Sequence, residues 1–109
     1  FFKHKVINFK ITTMIRLNAF FELKSDNDTQ VLAATMMAKD LVAQSRLDDG
    51  CIAYDFFKSP TRPGVMMFCE TWRDQAALDA HSNSPHFIGL VPQIEALTKD
   101  GMHLNRFDF

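Results

Sequence analysis

The chain has 109 residues, 47% of them hydrophobic, including 11 Phe and 6 Met, which suits one domain with a bulky, adaptable core. Its net charge is −1, and because the first thirteen residues hold three lysines and no acid, the rest carries −4, without the basic footprint of a nucleic-acid binder. No apolar run approaches the roughly 20 residues of a membrane span, no secretory core precedes a cleavage site, and Cys51 and Cys69, lacking zinc-type spacing, read as free thiols of a cytoplasmic protein.

Residues 1–13, FFKHKVINFKITT, read as a leader or extension outside the native domain, which runs over 14–109. The alternation Ile7, Phe9, Ile11 would also suit an extra edge strand. IRLNAFFEL (15–23) reads as a strand with Ile15, Leu17, Ala19, Phe21 and Leu23 on one face. Arg16, Asn18, Phe20 and Glu22 fall on the other, mixed face. After KSDND, where Asp26 or Asp28 can cap, a helix is predicted from Thr29 to about Leu47. Its apolar stripe runs through Leu32, Met36, Leu41 and Leu47, beside Met37 and Val42, and Gly50 ends it.

CIAYDFFKS (51–59) and VMMFCETW (65–72), joined by PTRPG, give a hairpin. Both faces of the second run are largely apolar, which predicts a sheet covered twice, by helices on one side and a second subunit on the other. Asp74 caps a short helix, DQAALDAH. SNSP interrupts it, and Ser84 with Pro85 starts another helical piece that Pro92 should kink or split. MHLNRFDF (102–109) closes the chain as a strand. The order β-α-β-β-α-β is the α+β, ferredoxin-like arrangement with an antiparallel sheet.

Topology does not decide function here. VMMFCETW lacks the basic, glycine-containing aromatic signature of an RNA-recognition sheet. His81 and His86 are five apart with Pro85 between them, a poor spacing for two ligands on one helix, so no metal is assigned. What remains is a cluster. Glu70 shares a strand face with Phe68 and Trp72, where a buried carboxylate needs a partner, and His81 follows on a helix that packs back over the strand. His81 is a proton acceptor near neutral pH or a ring bonded to a loop carbonyl; Glu70 is its partner or pairs with helix or backbone. His86 reads as a cap-region residue, Tyr54 as a pocket hydroxyl or core edge, and Asn18 as an amide in need of a partner or ligand.

These stretches, DDGCIAYDFFKS and VMMFCETWRDQAALDAHSNSPHF, resemble the antibiotic biosynthesis monooxygenase (ABM) domain family of dimeric α+β barrels. The resemblance rests on Gly50-Cys51 with Tyr54, Glu70 with Trp72, Ala77-Leu78 with His81, and the joint Ser84 to Phe87. It implies a homodimer whose two sheets face each other, and in each subunit a pocket between sheet and helices. It also implies oxidation of a quinol, polyphenol or anthrone-type aromatic by dioxygen with no cofactor. On this reading His81 is the base or hydrogen-bonding group, and Glu70 orients it or stabilises the pocket. Asn18 and Tyr54 bind oxygens, Met66, Phe68 and Trp72 wall the site, and His86 and Phe87 count among the substrate-binding positions. Relatives of this fold leave two alternatives: an isomerase of a phosphorylated autoinducer-type sugar, for which Arg16, Arg62, Arg73 or Arg106 would hold phosphate, and a non-catalytic ligand-binding stress protein.

Overall fold

The computed structural model of the protein describes residues 13–109, so the leader and its expected edge strand lie outside the described residues. Period-two alternation is realised over β1 (Ile15–Glu22), β2 (Cys51–Lys58), β3 (Val65–Trp72) and β4 (His103–Asp108). They form one antiparallel sheet in the order β2-β3-β1-β4. The register sets Leu17 opposite Glu70, Ala19 opposite Phe68 and Tyr54 opposite Glu70, so these side chains share one face. The architecture is the expected α+β, ferredoxin-like one, with the second helical segment split in two: β-α-β-β-α-α-β.

Helix α1 (Asp28–Ser45) is capped by Asn27, whose Oδ1 accepts the Gln30 N–H at 2.9 Å, rather than by either neighbouring aspartate. Its buried face keeps Leu41 and Val42 of the expected stripe and replaces the rest. Ala34, Ala38, Leu41, Val42 and Ser45 turn toward the sheet, while Leu32 and Met36 are 60% and 62% exposed and Leu47 lies beyond the helix end. The cause is volume: the sheet already contributes Phe21, Phe68 and Tyr54 to the core, and alanines let the helix axis approach them. Gly50 closes the turn after α1, five residues past the helix, with φ +81°. A Cβ there would overlap Ala77 Cβ, so glycine brings this turn against the next helix.

Asp74 caps helix α2 (Gln75–Ser82) and Ser84 caps helix α3 (Pro85–Glu95), with Pro85 at the helix start, as predicted. Pro92 neither splits nor ends α3. It lies on the exposed side of the helix, four residues after the likewise exposed Ile88, so its ring meets no packed neighbour that would force a break. The helices cover one sheet face over a core centred on Phe21, Phe68 and Trp72. The other face carries Phe20, Phe57 and Phe107, each about half exposed. Among the described residues no helix is long and apolar enough to cross a membrane.

Candidate active site

The alternation of β3 puts Phe68, Glu70 and Trp72 on the helix-covered face, and the split between α2 and α3 leaves a cavity of about 430 Å³ above them. Glu70, only 6% exposed, accepts the Trp72 Nε1–H at 2.8 Å. Burial pushes its carboxyl up to about 7, against the opposing pull of donors from Trp72 and Tyr54. Burial and the neighbouring Glu70 charge raise the Tyr54 phenol above its ordinary value, so it stays protonated and able to donate.

His81 lies in the last turn of α2 and is 1% exposed, its ring 4.5 Å from that of Trp72 and 5.2 Å from that of Phe87. His81 Nδ1 lies 2.8 Å from Asp48 Oδ2, and His86 Nε2 lies 2.8 Å from the same oxygen. An ionised carboxylate only accepts, so both of these nitrogens carry hydrogen. Desolvation lowers the His81 pKa and outweighs the Asp48 charge that raises it, which favours the neutral ring. In that tautomer Nε2 holds the lone pair, and Nε2 is buried without a hydrogen-bond partner among the described residues. The arrangement is a neutral imidazole held from one side by a carboxylate, with an unused proton acceptor on the other.

The sequence-derived set is only partly gathered here. Tyr54, Phe68, Glu70, His81 and Phe87 line the cavity. Trp72 is fully buried and meets the site through Glu70 and His81. Met66 shares the face but not the cavity; it borders a shallower depression with Phe57 and Phe20. Asn18 is not in the site, because its odd-numbered neighbours Leu17 and Ala19 point to the helices and the pleat turns Asn18 to the open face. There its Oδ1 accepts from Cys69 Sγ at 3.2 Å. Glu70 does not orient His81; Asp48 does. His86 is more than a cap-region residue, since Ser84 supplies the cap and the His86 ring reaches Asp48.

Asp48 was the residue that sequence reasoning missed. It stands in the turn before β2, 33 positions from His81, and the DDG turn signal carried no hint of a partner. The five-residue spacing of the histidines misled for a related reason. The break at Asn83-Ser84 redirects the chain, so both rings converge on one carboxylate although no single helix face could present them. Of the four arginines weighed for phosphate, Arg106 lines the cavity, bonded to Gln75 and Asp108. Arg16 lies on the open face beside Thr71, Arg62 pairs with Glu22, and Arg73 with Asp49 and Asp74. Both cysteines are free thiols.

Known proteins place this geometry in a family. The antibiotic biosynthesis monooxygenase profile matches residues 14–92. The Bacillus subtilis protein named "Putative monooxygenase YcnE" is 32% identical over 78 residues, covering 72% of this chain and 79% of its own. Protein sll1783 of Synechocystis is 33% identical over 66 residues, 61% of this chain, which spans less than half of that longer protein, 43%. The crystal structure of a conserved Bacteroides thetaiotaomicron protein, called a possible oxidoreductase, superposes with a TM-score of 0.81 at 43% identity. It covers 90% of this chain and 99% of that one. The chain belongs to the antibiotic biosynthesis monooxygenase (ABM) family.

Proposed function

We propose that the protein is a cofactor-independent monooxygenase that oxidises a quinol, polyphenol or anthrone-type aromatic with dioxygen in the 430 Å³ cavity. The observation that carries this reading is the His81 ring at the wall of the aromatic-lined cavity, its Nε2 buried without a hydrogen-bond partner among the described residues and its Nδ1 fixed by Asp48. A bound phenol or enol gives its O–H proton to Nε2, and the resulting anion is electron-rich enough to pass electrons to dioxygen in a dry site. For an anthrone-type substrate the balance closes as a ring CH₂ plus O₂ giving C=O plus water. The substrate supplies the electrons. The Tyr54 hydroxyl, whose hydrogen points to Glu70, accepts from a substrate hydroxyl, and Phe68 and Phe87 hold the ring plane. A scattered arginine set gives no phosphate cradle and does not favour the sugar-isomerase reading.

The reading includes a homodimer formed through the open sheet face, since Phe20, Phe57 and Phe107 make an uncovered aromatic surface. It also places the chain in the cytoplasm, where two unpaired thiols stay reduced. An oxygen electrode with metal-stripped protein and a panel of quinols, polyphenols and anthrones tests the chemistry. Wild-type protein should consume oxygen on at least one class, and His81→Ala should slow turnover by about 100-fold or more. No uptake on any class, or an unaffected variant, overturns the reading.

A further inference from the structure

We propose that Asp48, His81 and His86 form a binding site for a divalent transition-metal ion, with Zn²⁺ as the ion to test. Three separate segments supply the donors: the α1–β2 turn, the last turn of α2 and the first turn of α3. His81 Nδ1 and His86 Nε2 each stand 2.8 Å from Asp48 Oδ2, and all three donor atoms lie within 4.8 Å of one another. Zinc bonds to imidazole nitrogen and carboxylate oxygen run to about 2.0–2.2 Å. An ion can therefore take the place of the two hydrogens that now lie between these atoms, with small side-chain adjustments. Two imidazoles and one carboxylate suit Zn²⁺, Co²⁺, Ni²⁺ or Cu²⁺ over the oxygen-preferring Mg²⁺ and Ca²⁺.

The backbone fixes the two histidines relative to each other. The His81 carbonyl accepts both the Ser84 Oγ–H at 2.6 Å and the Ser84 N–H at 3.0 Å, while Ser84 Oγ caps α3 at Phe87 N. A second cavity of about 190 Å³, lined by Asp48, Asp49, Ala80 and His81, offers an entry path and room for water at the remaining coordination positions. Arg73 also lines it, but its guanidinium is turned to Asp49 and Asp74.

Metal binding changes the tautomers and not the charge of neutral imidazoles. The His81 proton moves from Nδ1 to Nε2, and the His86 proton from Nε2 to Nδ1. An ion on Nδ1 thus converts His81 Nε2 from acceptor to donor, so Zn²⁺ should inhibit the oxygenase. That consequence rests on the function proposed above; the site itself does not.

Calorimetric titration of ZnCl₂ into the metal-stripped full chain, with Cys51→Ser and Cys69→Ser to remove thiolate ligands, tests the site without reference to turnover. One ion should bind per chain, and Asp48→Asn and His86→Ala should each weaken it by about tenfold or more, while His103→Ala changes nothing. Absence of binding, indifference to both Asp48→Asn and His86→Ala, or loss in His103→Ala overturns the proposal. A readout on the unaltered binding residues guards against variants that fail to fold. Long-range ¹H–¹⁵N spectra should show the His81 hydrogen on Nδ1 before zinc and on Nε2 after it, and an unchanged His81 tautomer at saturating zinc also overturns it.

Discussion

The two faces of one sheet differ more than their compositions suggest. Along β3, Met66, Phe68, Glu70 and Trp72 are buried under the helices, while Val65, Met67, Cys69 and Thr71 on the opposite face are half-buried. Both sets are mostly apolar. On the covered face, low dielectric gives polar groups unusual properties: a carboxyl that retains its proton to about 7 and an imidazole kept neutral beside an aspartate. On the open face, a charged group such as Arg16, beside Thr71, remains near water. The difference teaches that the pocket chemistry comes from coverage and not from the strand sequences alone. The same pleat that carries a candidate reaction chamber on one side carries the proposed association surface on the other.

The largest expected effect separates the faces by one substitution type. Phe68→Ala removes a fully buried ring from the core and should cost about 3–5 kcal/mol. Phe57→Ala, at a ring 52% exposed, should cost about 1 kcal/mol in a dissociated chain. Urea unfolding at low protein concentration measures both. Light scattering on Phe57→Asp supplies the sharper half, since a charge on this face should shift a homodimer toward monomer. Equal costs at the two positions, or an assembly indifferent to Phe57→Asp, would break the comparison.

Next in size is the pH dependence of Glu70. A carboxyl whose folded pKa stands at about 7, above an ordinary 4.5, holds its proton better in the native chain. Its stabilising contribution is complete below about pH 4.5 and is lost as pH rises through 7. The full difference is on the order of 3 kcal/mol. Glu70→Gln keeps an oxygen for the Trp72 indole and removes the titration. Urea midpoints should therefore diverge from pH 5 to pH 8, the variant becoming the more stable of the two. Parallel curves would mean that Glu70 is solvated as the open-face groups are.

Much of this contrast was legible in the residues. Period-two alternation gave four strands and assigned Glu70 with Phe68 and Trp72 to one face, and Asp74 and Ser84 announced their helices by their position before helix-forming runs. Legibility ended where contacts span long separations. Asp48 and His81 meet only because Gly50 lets a turn close against Ala77, a steric fact that no local pattern encodes. Asn18 was a different failure. The alternation placed it on the mixed face of β1, and its chemical suitability as a ligand group, with the family resemblance, drew it into the candidate set. The helical stripe held at Leu41 and Val42 and failed at Leu32 and Met36, because a period of 3.6 marks possible faces without saying which one the sheet selects. Large strand side chains selected Ala34 and Ala38.

The smallest prediction tests that selection, and with it the boundary of the covered layer. Leu32 and Met36 form an apolar pair one helical turn apart, which on hydrophobicity alone should be core. Both point outward in the fold, away from the face that Ala34, Ala38 and Leu41 present to the sheet. Met36→Ala should therefore change stability by less than ~0.5 kcal/mol, because no cavity forms and alanine has slightly the better helix propensity. A core methionine would lose about 2–5 kcal/mol on the same change. Urea unfolding separates these outcomes easily. A loss in the larger range that persists on dilution would put Met36 inside the fold and reverse the assignment of the α1 faces. A loss that appears only at high protein concentration would instead extend the association surface from the open sheet face to the outside of this helix.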